Sequence, residues 1–109
     1  MKYVYNITFV IEPSLEEKLI RFLKDRLIPK LFGEGSSATN PTLRKVMEVG
    51  GEKPGPDHGL SMALSADFNS EKEAHQWHDN ILAQTLGEFT KEFANEGVFF
   101  VTLLEEISL

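Results

Sequence analysis

Cysteine is absent from this 109-residue chain. That excludes disulfides, thiolate metal sites and a cysteine nucleophile, so any chemistry must rest on oxygen and nitrogen side chains. Tryptophan occurs once, tyrosine twice and histidine three times, which leaves few groups able to build a site. No apolar run approaches the ~18 residues of a membrane span, and the N-terminus begins a strand rather than a signal peptide. A cytoplasmic protein without a membrane partner is therefore expected. Basic residues are also scarce, 11 Lys and Arg against 17 Asp and Glu for a net charge of −6. Those between Lys18 and Lys30 and at Arg44-Lys45 are diluted by carboxylates. Binding to a nucleic-acid backbone needs clustered cations, so no nucleic-acid partner is expected. A phosphate-cradling loop is missing too, since Gly33 to Ser37 lacks the required lysine and follows a helix. No cofactor is expected.

The longest patterned stretch runs from Ser70 to Gly97 and predicts a helix. Ser70 with Glu73 forms a capping box, in which the serine oxygen accepts an orphan amide at the helix start. Asn95 and Gly97 tolerate the left-handed conformation and are expected to stop it. At about 100° per residue, Ala74, Trp77, Ile81, Leu82, Phe89 and Phe93 share one face. Gly87 lies opposite, where a bend is possible. A shorter helix opens at Pro13-Ser14, with a second capping box in Ser14 and Glu17. Leu15, Leu19, Phe22, Leu23 and Leu27 form its stripe, and Pro29 should kink or loosen its end.

Four segments alternate with the two-residue period of strands. Residues 2–11 place Tyr3, Tyr5, Ile7, Phe9 and Ile11 on one face. Residues 42–49 carry charge on both faces, as an edge strand does. Residues 60–68 set Leu60, Met62, Leu64, Ala66 and Phe68 against a small, weakly charged face of Ser61, Ala63 and Ser65. Residues 98–104 are apolar on both faces, which predicts a covering partner. The segments 33–41 and 50–59 read as loops, and His58 in the second is a turn residue. The order β-α-β-β-α-β predicts a single ferredoxin-like α+β domain: a four-stranded antiparallel sheet with both helices on one face, and the first and third strands central. A homodimer through the uncovered sheet face is expected.

Four short motifs make the chain resemble a known family. They are Tyr5-Asn6-Ile7-Thr8, Ile28-Pro29, Asp67-Phe68 and Thr102-Leu103-Leu104-Glu105. Together they resemble short bacterial proteins catalogued as a domain of unknown function and related in fold to the dimeric α+β barrels. Such families often carry a histidine before the Ile-Pro pair, where this chain has Leu27, so no role for that histidine transfers. The resemblance implies the fold and a dimer. Barrel relatives include cofactor-free monooxygenases, haem-degrading enzymes, dehydratases and isomerases, and the fold does not choose among them.

The long helix holds the candidate chemistry. His75, His78 and Asp79 lack the i, i+4 spacing of a helical zinc pair, and no metal is expected. The wheel puts His78 among Ala74, Trp77, Ile81 and Leu82, largely buried and aimed at the sheet, with His75 more exposed. A buried imidazole needs a polar partner, and Tyr5, Thr8 or Ser65 on the sheet could supply a hydroxyl. The ligand-binding candidates are therefore His78, Tyr5, Trp77 and Ser65, and His78 is the one catalytic candidate. Two functions fit. The first is a non-catalytic dimeric module that binds a small hydrophobic ligand or a protein. The second is a cofactor-free enzyme acting on a hydrophobic or aromatic acid in the helix–sheet cleft, with His78 as base. A cavity beside His78 with convergent polar groups would favour the enzyme, and a filled core the module.

Overall fold

The computed structural model describes residues 2–47 and 59–109. Four strands, β1 (Tyr3–Ile11), β2 (Thr39–Lys45), β3 (Leu60–Phe68) and β4 (Gly97–Glu105), form one antiparallel sheet in the order β2-β3-β1-β4. The central pair is β1 and β3, as the alternation and the crossover rule predict. Inward-facing Tyr5, Ile7, Phe9 and Ile11 of β1 meet Met62, Leu64, Ala66 and Phe68 of β3 in the core, which both helices complete. An aromatic chain ties the layers together: Phe9 to Phe89 at 4.9 Å, Phe89 to Phe93 at 4.8 Å and Phe93 to Phe22 at 5.5 Å between ring centres. Each buried ring contributes on the order of 2 kcal/mol from area alone.

The strand expected over 42–49 is displaced. It starts three residues earlier and ends at Lys45, passing through an irregularity between Thr39 and Thr42. Asn40 there takes a φ of +54°, and Pro41 follows it. Proline cannot donate to a ladder, but an edge strand with a bulge tolerates it. The loop expected over 33–41 is correspondingly short, and it is anchored. The Ser36 hydroxyl donates to the Leu31 carbonyl at 2.8 Å and accepts from the Ala38 amide at 3.1 Å, and Ala38 is buried. The connector 50–58, with His58, lies outside the described residues.

Both helices are built alike. The first has seven α-helical residues (Glu16–Phe22), a five-residue π turn (Leu23–Leu27) and a further α turn (Ile28–Leu31). The second has seven (Glu71–Trp77), a π turn of five (His78–Leu82) and a longer α segment (Ala83–Phe93). In the first, the π turn sits directly before Ile28-Pro29, where proline's missing N–H and its ring displace the regular ladder. The capping box expected at Ser14 and Glu17 does not form. Pro13–Leu15 is instead a 3-10 turn closed by the Leu15 amide on the Glu12 carbonyl, with no side-chain cap. The box at Ser70 does form, with the Glu73 amide donating to the serine oxygen at 3.1 Å.

The end of the second helix also differs from expectation. The left-handed residue is Ala94, with φ +49°, rather than Asn95 or Gly97. Gly97 is extended and serves close approach. A Cβ there would stand 3.0 Å from both Ile11 Cγ2 and Phe89 Cζ. Around Gly87 there is open space, and the helix continues through it. Across the helix layer, Glu88 accepts from Lys30 and Arg26, and Arg26 also reaches Glu92 at 3.3 Å. The bond from Lys30, ahead of the other charges, holds the Glu88 carboxyl below its usual range.

These two glycines should respond oppositely to the same change. Gly87→Ala is expected to raise unfolding stability by about 1 kcal/mol through helix propensity. Gly97→Ala should lower it by roughly 1–3 kcal/mol through overpacking. Urea denaturation of the two variants checks both signs.

Candidate functional site

The site lies where the second helix crosses the open edge of the sheet beside β4. Its local cause is the π turn. Trp77 and Leu82, five residues apart, both point inward and are buried, so the widened turn replaces the four-residue spacing that a regular wheel assumes. His78, which the wheel predicts to be largely buried, is thereby half-buried on the flank, while His75 is exposed as expected. The first helix has Leu23 at the equivalent start of its π turn, and that side chain is completely buried. The polar residue therefore stands in the half of the fold that borders β4.

Register places Tyr5 directly beneath. In β1 it pairs with Leu103 of β4 and Ala66 of β3, and its hydroxyl lies 2.5 Å from Nδ1 of His78. Burial, and then the negative charge of Asp79, push the Tyr5 phenol up to about 12 from an ordinary 10.0. Tyr5 is consequently a neutral phenol throughout the physiological range. Its ring packs edge-on to Trp77 at 5.4 Å, and the Trp77 indole N–H donates to the Leu31 carbonyl at 3.0 Å. That bond joins the two helices behind the tyrosine.

A cavity of about 250 Å³ opens beside this pair, lined by Tyr5, His75, His78, Val101, Thr102 and Leu103. Of the four ligand-binding candidates, the fold brings together Tyr5 and His78, with Trp77 packed against the tyrosine as core. Ser65 is not with them. It pairs with Asn6 and Thr42 on the opposite sheet face, where Arg44 reaches its hydroxyl at 3.4 Å. Thr8 pairs with Ala63 and Phe100 and shares that face. His75, Thr102, Val101 and Leu103 joined the cavity without being singled out as site residues. The signal for the last two was their inward phase on a strand too apolar for an edge. His75 donates outward at 3.3 Å to Glu71. No cluster of three or more metal-ligating side chains exists among the described residues. A larger hollow of about 400 Å³ lies between the helices near Arg21, Phe22 and Asp25, but Arg26 and Glu92 in its wall neutralise one another.

The topology defines a ferredoxin-like α+β protein. Within that class the chain belongs to the family described as domain of unknown function DUF4286, whose model matches residues 2–107. No curated protein matches it. Among solved structures it is similar to a dimeric ferredoxin-like protein from an uncultured marine organism (7% identity, 100% and 99% of the two chains, TM-score 0.64). It is also similar to a DABB family protein with a ferredoxin-like fold from Mesorhizobium loti (18%, 97% and 99%, 0.55). A third is a mutant of SnoaB, a cofactor-independent oxygenase from Streptomyces nogalater (11%, 99% and 95%, 0.57). At such identities these likenesses establish the fold alone. No helix among the described residues is long and apolar enough to cross a membrane.

The Tyr5 environment has an alkaline consequence. The folded phenol holds its proton more tightly than the unfolded one, so this contribution to stability is complete below pH ~10. It is lost as pH rises from there through about 12. Tyr5→Phe should flatten the fall in stability across that window, as read by denaturation at stepped pH.

Proposed function

We propose that this chain is a homodimeric module that binds a small ligand in the cleft between its second helix and β4. The observation that carries the reading is the Tyr5–His78 hydrogen bond at the wall of an open cavity. Core histidines are normally closed in on all sides. Here a polar pair borders empty space, with Val101 and Leu103 offering an apolar wall, which is the composition of a small-molecule site.

Dimerisation is supported by the other sheet face. Val98, Phe100 and Leu104 project there at 52%, 56% and 50% exposure, opposite Val10, Thr8 and Val4 of β1. Ser61 and Ser65 of β3 lie on the same face and are themselves buried. Covering the three large side chains would gain roughly 1–2 kcal/mol each per subunit, offsetting much of the association cost. The marine protein of similar fold is described as dimeric, which supports the dimer reading without indicating a face. Light scattering should give twice the 12.3 kDa chain mass, and Phe100→Arg should return the single-chain mass while the circular dichroism stays that of a folded protein.

A second reading, a cofactor-free enzyme on a hydrophobic or aromatic acid with His78 as base, is favoured by the convergence of Tyr5, His75 and His78 on one cavity. Native mass spectrometry of freshly isolated protein tests the binding reading directly. A retained small molecule that His78→Leu loses, with folding intact, is the expected result. If a metabolite mixture is turned over by the native chain and left untouched by His78→Leu, the enzyme reading takes its place.

A further inference from the structure

We infer that the cleft takes a small uncharged carbonyl compound, its oxygen accepting a hydrogen bond from Nε2–H of His78 while its apolar body rests on Val101 and Leu103. The inference rests on the reading of this cavity as a ligand site, and it follows from where the proton between Tyr5 and His78 resides. A phenol is a stronger acid than a neutral imidazole N–H, and an unprotonated imidazole nitrogen is a better acceptor than a phenol oxygen. Of the two ways to share the 2.5 Å bond, Tyr5 therefore donates and Nδ1 accepts. Burial and the charge of Asp79 reinforce this by keeping the proton on the phenol. A neutral imidazole that accepts at Nδ1 carries its own hydrogen on Nε2. The ring's basic nitrogen is thus already occupied by the tyrosine, and what His78 has left to offer is a donor.

The ligand must then bring an acceptor, and the surrounding charge decides which kind. Asp79, the residue after His78, acts electrostatically on Tyr5. Glu71 stands 3.3 Å from His75 Nε2. Neither carboxylate lines the cavity, but each stands by a residue that does, on a chain whose net charge is −6. A carboxylate ligand would be repelled by both, and an ammonium, although drawn by them, has no lone pair to accept from Nε2–H. A neutral carbonyl meets neither penalty. The cavity of about 250 Å³ corresponds to about eight waters at roughly 30 Å³ each, room for a small ring or short chain.

The test uses the native protein labelled with nitrogen-15, so that the imidazole nitrogens report tautomer and binding together. The probes are cyclopentanone, cyclopentanecarboxylate and cyclopentylamine, equal in skeleton and different in charge. Expected is an Nε2–H tautomer for His78 and saturable shifts of its ring signals by the ketone. The ketone should bind at least about tenfold more tightly than either charged probe, the scale of one hydrogen bond plus an avoided repulsion. His78→Leu should weaken the ketone about tenfold, and His78→Gln, which retains an N–H donor, should recover most of that loss. An Nδ1–H tautomer, or preference for the carboxylate or the amine, overturns the inference and leaves the cleft as a ligand site. Equal ketone binding by His78→Leu overturns it likewise. Failure of all three probes to shift His78 removes the ligand site as well.

Discussion

The register of β1 against its two neighbours is the constraint on which the rest depends. Side chains alternate with a period of two, so a slip of one residue would exchange the two faces of the sheet. In the observed register Tyr5, Ile7 and Phe9 enter the core opposite Ala66, Leu64 and Met62 on one side and Leu103, Val101 and Phe99 on the other. Slipped by one, Asn6 and Thr8 would be buried beneath the helices without water, and the ring chain from Phe9 to Phe22 would be broken. The Asn6 amide instead donates to Thr8 at 3.0 Å on the outer face. That polar pair has a place only because the apolar set has taken the other side.

The same register makes the cleft. Tyr5 of β1 pairs directly with Leu103 of the edge strand β4, and Trp77 packs against its ring from behind. With Trp77 bonded to the Leu31 carbonyl, the first helix, the second helix and β1 are locked around one point. His78 can reach Tyr5 because the π turn holds it on the flank of the helix. A regular turn would direct the next inward position four residues after Trp77 rather than five. The widened turn thus trades some helical regularity for a polar contact at the edge of the core. In the first helix the same turn opens on Leu23, which is completely buried. The chemistry of one side chain separates two otherwise parallel constructions.

The two sheet faces differ in character. One is closed by the helices over a single cluster of buried apolar residues, twenty among the described residues. The other carries exposed valine, phenylalanine and leucine on the edge strand β4. A surface of that kind is costly to leave in water. It lies on the far side of the sheet from His78, so covering it leaves the inner face of Tyr5 untouched.

Strand alternation, helical stripes and the β-α-β-β-α-β order were determined by the sequence itself, because they depend on periods of 2 and 3.6 that each segment carries alone. The inward set of β1, the burial of Trp77, the Ser70 cap and the exposed apolar character of β4 were all legible in this way. So was a hydroxyl partner for His78, although three candidates stood level until the pairing of β1 with β3 put Thr8 and Ser65 on the opposite face. The π turns, the bulge that carries β2 through Asn40 and Pro41, the left-handed Ala94 and the steric role of Gly97 depend on neighbours distant in sequence. Gly97 is extended, so no conformational rule marks it, and only the approach of Ile11 and Phe89 explains it. The cavity belongs to the same group. It arises from a phase shift in the helix meeting an edge in the sheet, and each exists only once 73 residues of separation have been closed between Tyr5 and His78.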